Sequence, residues 1–74
     1  MVRYITAQHI GESDAFYERG RTYPLAVKIG FFTKKVQIYT RRGYYDGMVP
    51  ESHRKFRDLD TFYSVWGNIK EEMR

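Results

Sequence analysis

The chain has 74 residues, with 13 Lys+Arg against 9 Asp+Glu and a formal net charge of +4. This length excludes barrels and doubly wound nucleotide-binding folds, which are much larger. The absence of cysteine excludes disulfides and thiolate metal sites. Aromatic residues make up 18% of the chain, and their large side chains allow a short chain to build an apolar core. The composition therefore predicts a single compact domain over residues 1–74.

The first predicted element is a strand over about residues 2–10, which is rich in β-branched and aromatic residues. Its alternation is interrupted where Tyr4 and Ile5 are adjacent. The conformation of residues 11–24 stays open, because the segment 14–19 fits either a strand or one helical turn.

Two alternating apolar runs follow, over about residues 25–32 and 35–41. In the first run, four apolar residues share one face: Leu25, Val27, Ile29 and Phe31. The second run repeats the alternation, and the short polar link Thr33-Lys34-Lys35 joins the two. This arrangement predicts an antiparallel hairpin whose register is not fixed by the link.

A further short strand is predicted over about residues 44–49, interrupted by the turn signal Asp46-Gly47. Pro50 follows and has no backbone N–H to donate, so regular pairing is expected to end there. Together the runs predict an antiparallel sheet of three to five strands.

The clearest element is a C-terminal helix over about residues 59–73. Its apolar residues recur with a period of about 3.6 along one stripe, namely Leu59, Phe62, Tyr63, Trp66, Ile69 and Met73. Asp58 is a suitable N-cap, and Gly67 is the weak point of the helix. The sequence thus predicts an α+β fold, in which one C-terminal amphipathic helix packs on one face of the small antiparallel sheet.

Charge is unevenly distributed along the chain. Residues 19–42 hold seven basic groups and no acid, whereas residues 1–18 and 58–74 each have a net charge of −2. The candidate binding surface combines cationic and aromatic side chains on the sheet and the segment after it: Lys34, Lys35, Tyr39, Arg41, Arg42, Tyr44, Tyr45, His53, Arg54, Lys55 and Arg57.

Two functions fit this surface. The favoured one is a protein-interaction or inhibitor module, a small regulatory protein whose Tyr and Arg anchors dock on an acidic protein partner. The alternative is nucleic-acid binding by the same face, with cations on phosphates and aromatic rings on bases. A third interpretation requires no partner: the cations protect strand edges from aggregation, or the acidic ends of the chain fold back and neutralise them.

Catalytic and metal sites are not indicated. Ser52 and His53 are sequence neighbours with no third group to orient them, and Asp58 and Asp60 are explained by helix capping. His9 and His53 show no metal-ligand spacing. We therefore expect a binding protein that is not an enzyme and needs no cofactor or metal.

The sequence contains no signal peptide and no apolar run long enough to cross a membrane. A cytoplasmic protein without membrane contact is the resulting prediction. Exposed strand edges also allow a homodimer.

Overall fold

The computed structural model describes residues 2–41 and 49–72, which form a five-stranded antiparallel sheet in the spatial order β4-β3-β2-β1-β5. The strands are β1 (Val2–His9), β2 (Thr22–Ile29), β3 (Val36–Thr40), β4 (Arg54–Phe56) and β5 (Trp66–Glu71). One helix, α1 (Leu59–Val65), and one 3-10 turn (Pro50–Ser52) complete the described elements. The prediction of an α+β fold with an antiparallel sheet of three to five strands is confirmed.

The two faces of the sheet differ in chemistry because side chains alternate along each strand. One face, called the core face here, carries most of the buried apolar residues: Ile5, Ala7, Leu25, Val27, Val36 and Ile38. The opposite face, called the polar face, carries Tyr4, Thr6, Lys28, Gln37, Tyr39 and Lys55. From the helix α1, Phe62 is buried in the same core beside Phe56.

The first strand of the central hairpin differs from the predicted range 25–32, since β2 spans Thr22–Ile29. The chain turns at Gly30, whose N–H donates to the Lys35 carbonyl at 2.9 Å. Phe31 was expected on the core face and is instead 82% exposed. The prediction of strand structure beyond residue 29 is therefore wrong, and the glycine that opens the turn is the physical reason.

Strands β1 and β3 lie within the predicted ranges 2–10 and 35–41. The short strand β4 was not predicted, and it pairs with β3 through three residues. Most of the strand predicted over 44–49 lies outside the described residues. Its last residue, Val49, is not part of a strand, although its N–H donates to the Thr40 carbonyl at 3.0 Å.

The C-terminal segment departs most from prediction, because α1 ends at Val65 and the next six residues form β5. A helix over 59–73 is therefore wrong beyond residue 65, and residues 73–74 lie outside the described part. Trp66 has extended backbone angles, and Asn68 is left-handed with a φ of 48°. Trp66 lies opposite His9, so this segment satisfies the backbone groups along one edge of β1.

The packing of a long amphipathic helix across the sheet is not confirmed. Within α1, Phe62 is buried, but Tyr63 is 52% exposed. The helix begins as expected, since the Asp58 carboxylate accepts from the Thr61 N–H at 2.9 Å. This hydrogen bond is the main reason why the pKa of Asp58 is lowered.

An aromatic cluster joins β5 to the rest of the domain. Trp66 packs edge-on against Tyr17 and Tyr23, with ring centroids 4.9 Å and 5.9 Å away, and against His9 at 4.8 Å. Tyr17 also meets Tyr23 edge-to-face at 5.0 Å. The segment 10–21 is thus anchored in the core through Tyr17, although it contains no helix or strand.

A buried hydrogen-bond network surrounds the Tyr17 hydroxyl. This hydroxyl donates to the Ser52 carbonyl at 2.8 Å and accepts from the Thr40 hydroxyl at 3.0 Å. The Ser52 hydroxyl accepts from the Thr40 N–H and donates to the Val49 carbonyl. Burial is the largest influence on the Tyr17 hydroxyl and raises its pKa, so it stays protonated and able to donate.

We predict that Trp66→Ala lowers the free energy of unfolding by about 3–5 kcal/mol, because it leaves a cavity among three aromatic rings. Urea denaturation followed by circular dichroism measures this change. As a control, Tyr63→Ala removes an exposed ring of similar type and should cost less than about 1 kcal/mol. Equal losses in the two variants would contradict the placement of Trp66 at the centre of the core.

We predict that Tyr17→Phe costs about 1–3 kcal/mol, because the ring is retained but the buried Ser52 carbonyl and Thr40 hydroxyl lose a partner. The same denaturation measurement applies. Tyr39→Phe is the matched control, since Tyr39 lies on the polar face and is only half-buried. A Tyr17→Phe protein as stable as the unmodified chain would show that the network contributes nothing.

Candidate binding surface

Unlike the core face, the polar face presents a row of cationic and amide side chains. Lys28 lies opposite Gln37, and Gln37 lies opposite Lys55 on the next strand. Because neighbouring strands are about 4.8 Å apart, the two lysines start about 10 Å from each other with Gln37 between them. Both lysines are exposed. This row is an electropositive strip that crosses three strands.

Two aromatic rings extend this strip toward the end of β3. Tyr39 and His53 are stacked with ring centroids 4.6 Å apart and an angle of 27° between the rings. A hydrogen bond of 3.0 Å joins His53 Nε2 to Gln37 Oε1 and holds the imidazole in place. Tyr39 also lines a shallow depression of about 270 Å³ with Val2, Ala26 and Lys28.

The tip of the β2–β3 hairpin carries the most exposed apolar side chains of the described chain. Phe31 and Phe32 are 82% and 90% exposed, and their rings meet edge-to-face at 5.0 Å. The turn beneath them is closed by the Lys34 N–H, which donates to the Gly30 carbonyl at 3.1 Å. A Cβ at Gly30 would collide with the Thr33 hydroxyl oxygen, so any larger residue there would force the Thr33 side chain to move. We call residues 30–35 the hairpin tip.

The structure separates the arginines of the predicted binding surface from its lysines. Lys34, Lys35 and Lys55 are exposed, as a binding surface requires. Arg41 is buried, with only 6% of its surface exposed, and pairs with Glu72 through Nη2 and Oε1 at 2.6 Å. The expectation that Arg41 is an accessible cation is therefore wrong, because an acidic residue from beyond β5 neutralises it.

Arg54 lies away from the polar face, because it is opposite Ile38 in the strand pairing and therefore belongs to the core face. Its guanidinium lies 5.3 Å from the centre of the Tyr17 ring and donates to the Asp14 carboxylate from Nε and Nη2, each at 3.2 Å. Arg57 remains exposed beside Asp58, with 3.3 Å between Arg57 Nε and the carboxylate. Only part of the predicted surface is therefore brought together.

Three residues of the predicted surface, Arg42, Tyr44 and Tyr45, lie outside the described residues. The structure brings Tyr39, His53 and Lys55 together on the polar face, with Lys34 and Lys35 at the adjoining hairpin tip.

Sequence reasoning missed Lys28, Phe31 and Phe32 as surface residues. Lys28 lies within the strand predicted over 25–32 and was not included in the predicted binding surface. The two phenylalanines were assigned to a strand because they extend the apolar run. Gly30 followed by Thr33 and two lysines was the available signal that the chain turns before Phe31.

Asp14 organises the segment 10–21 and holds Arg54. Its carboxylate accepts from the backbone N–H groups of Phe16 and Tyr17, both at 2.8 Å. Burial would raise the pKa of Asp14, but the hydrogen bonds from Arg54 and the two amides outweigh it and lower the pKa from 3.8 to about 2. The carboxylate is therefore charged over the whole ordinary pH range.

Comparisons with protein-family models, with curated proteins and with solved structures found no match for this chain. Within residues 2–41 and 49–72, no group of three or more His, Asp or Glu side chains is placed to hold a metal ion. Over the same ranges, no helix has the length and apolar character needed to cross a membrane. Functional inference therefore depends on the geometry of the surface.

We predict that Asp14→Asn flattens the dependence of stability on pH in acid. The pKa of Asp14 is lower in the folded than in the unfolded chain, so its stabilising effect is full above about pH 4. That effect is lost as the pH falls from there toward about 2. The free energy of unfolding, measured with urea between these pH values, should fall less steeply in the variant than in the unmodified protein. A slope in the Asp14→Asn variant as steep as in the unmodified protein would contradict this prediction.

Proposed function

We propose that this chain is a non-enzymatic protein-binding module, and that its hairpin tip and adjoining lysines dock on an acidic partner with an apolar recess. The observation that carries the proposal is the pair of adjacent, almost fully exposed phenylalanines, Phe31 and Phe32. Moving a phenylalanine side chain from water to a fully buried site stabilises a complex by roughly 1.5–3 kcal/mol. A partner that covers both exposed rings would therefore gain binding free energy from each.

The hairpin tip is well ordered for this purpose. Its backbone is fixed by the hydrogen bonds between Gly30 and Lys35 and between Lys34 and Gly30, and the Lys35 N–H also donates to the Thr33 hydroxyl at 3.3 Å. Pre-organised loops lose little conformational entropy on binding. The edge-to-face contact between the two rings keeps them together as one apolar anchor.

Charge supports an acidic partner. Lys34 and Lys35 are at the hairpin tip itself, and Lys28 and Lys55 lie on the polar face that adjoins it. Such lysines steer an acidic protein toward the hairpin tip and raise the association rate more than the final affinity. The two features together describe an aromatic anchor surrounded by cations.

Nucleic-acid binding is the second candidate, and the Tyr39–His53 stack favours it. A single-stranded nucleic acid could place a base on this pair while Lys28 and Lys55 contact phosphates. Arg41 and Arg54 are paired with Glu72 and Asp14, so their pairing weakens both candidate functions. The protein-binding proposal has the stronger support because it also accounts for the exposed pair Phe31 and Phe32.

We predict that the double variant Phe31→Ser/Phe32→Ser raises the Kd for the partner by a factor of about 100 or more, since aromatic hot spots cost at least about 2 kcal/mol each. The partner is first captured from lysate of the source cells, with and without nuclease, and then purified for calorimetry. Ile10→Ser, an exposed apolar residue at the opposite end of β1, is the control and should leave the Kd unchanged.

Three outcomes would contradict the proposal. Capture that disappears after nuclease treatment, together with oligonucleotide binding that weakens steeply with salt, would favour the nucleic-acid alternative. A partner that binds equally well to the double variant would exclude the hairpin tip as the anchor. Sedimentation showing that the tip holds two copies of this chain together would replace the acidic partner with a homodimer.

A further inference from the structure

Arg41 is a buried cation on the polar face, directly after β3. Only 4% of its side chain is exposed. It begins at the end of β3, opposite Pro24, passes over the Tyr4 ring at 5.2 Å and ends at Glu72, just beyond β5. The side chain therefore crosses β2 and reaches β1, where the Glu72 carboxylate meets it.

The guanidinium is bound by a carboxylate in fork geometry. Nη1 of Arg41 donates to Oε2 of Glu72 at 2.8 Å, and Nη2 contacts Oε1 at 2.6 Å. Nη2 also donates to the Ile5 carbonyl at 3.3 Å. Within the described part of the chain, the buried Nε has no hydrogen-bond partner. Arginine can donate five hydrogen bonds, so this group has donor capacity that Glu72 does not use.

The carboxylate of Glu72 is more accessible to solvent than the guanidinium it binds. The side chain of Glu72 is 36% exposed, whereas that of Arg41 is almost fully covered. Its backbone is attached beside β1 through the N–H, which donates to the Tyr4 carbonyl at 3.0 Å. A buried arginine needs a carboxylate to offset its desolvation, but the carboxylate of another molecule meets that need equally well.

One surface depression is lined by Glu72, and a second one adjoins it at Val2. The first, of about 280 Å³, is lined by Val2, Arg3, Tyr4, Glu71 and Glu72. Val2 also lines the depression that contains Lys28 and Tyr39. An acidic segment lying along β1 on the polar face would therefore meet Lys28 first and the Arg41–Glu72 pair next.

We propose that Glu72 is an internal competitor for the acidic partner, so that a carboxylate of the partner replaces Glu72 at the Arg41 guanidinium when the complex forms. This inference rests on the proposed function and names one anchoring point within it. The exchange conserves charge at Arg41, and it makes affinity depend on a partner carboxylate that reaches a recessed guanidinium. Partners with apolar surface alone would leave Glu72 in place.

The test uses ¹⁵N-labelled full-length protein and a synthetic peptide of alternating glutamate and leucine as the probe. We expect Glu72→Gln to bind the peptide about tenfold more tightly than the unmodified protein, because the internal carboxylate no longer competes. The Arg41 Nε–H signal should shift during the titration. Glu71→Gln is the matched control, because Glu71 pairs with the exposed Arg3 at 2.8 Å. The peptide affinity of this variant should differ less than twofold from that of the unmodified protein.

A second set of variants distinguishes competition between Glu72 and the peptide for Arg41 from a purely structural role of Glu72. In Arg41→Lys/Glu72→Gln, the fork is lost and the tenfold gain should disappear. If Glu72→Gln does not fold, Glu72→Asp keeps the charge with a shorter reach and should still bind more tightly than the unmodified protein. Glu72 variants that bind no more tightly than Glu71→Gln, or an Arg41 Nε–H signal that never moves, would overturn the inference.

The same titration separates this inference from the proposed function. Peptide affinity that is unaffected by Glu72→Gln but falls in Phe31→Ser/Phe32→Ser would leave the hairpin-tip proposal standing and refute the competition. Absence of peptide binding in every variant would count against both.

Discussion

The packing of Trp66 against His9, Tyr17 and Tyr23 is the constraint on which the remaining structure depends. Its ring brings together β1, β2, β5 and the irregular segment 10–21 at one point of the core. A small domain buries a modest fraction of its surface, so a single large aromatic side chain contributes much of its core. Once Trp66 is placed there with extended backbone, the chain after it runs along β1 and the helix must end.

Because the helix ends early, an acidic residue near the C-terminus is brought close to a basic residue of the sheet. Because residues 66–71 pair with β1, Glu72 is delivered to the polar face next to Tyr4, within reach of Arg41. Asp14, fixed by its turn beside Tyr17, likewise reaches Arg54 on the other face. One interpretation of the charge pattern was that the acidic ends fold back and neutralise the cations. That interpretation thus applies to these two arginines. It does not apply to the lysines of the hairpin tip.

The sequence allowed the sheet to be predicted wherever alternation alone determines structure. β1, β2 and β3 were found because their residues alternate or are β-branched, and Asp58 was recognised as a cap. Ends of elements were less predictable, since the turn signal of Gly30, Thr33 and the two lysines was outweighed by the apolar run that continues through Phe31 and Phe32. The stripe from Leu59 to Met73 has helical period, yet pairing with β1 overrides that periodicity after Val65.

The residue types of the candidate surface could be predicted from the sequence, but which of those residues are exposed to solvent could not. Net charge by segment located the cations, but only strand pairing shows that Lys55 shares a face with Gln37 while Arg54 does not. The burial of Arg41 depends on Glu72, which is 31 residues away in sequence. Contacts at this separation follow from the topology of the sheet, and no local motif encodes them.

The division between arginine and lysine has a physical basis. A guanidinium donates in a fixed fork and is weakly hydrated, so arginine suits a buried intramolecular pair such as Arg41 with Glu72. An ammonium is strongly hydrated and flexible, so Lys34 and Lys35 remain in solvent and act at long range. In the proposed complex, the lysines would govern how fast an acidic partner approaches, and the phenylalanines would govern how long it stays. The recessed arginine would add a requirement for a carboxylate in one defined position, which would turn general attraction between opposite charges into selection among acidic partners.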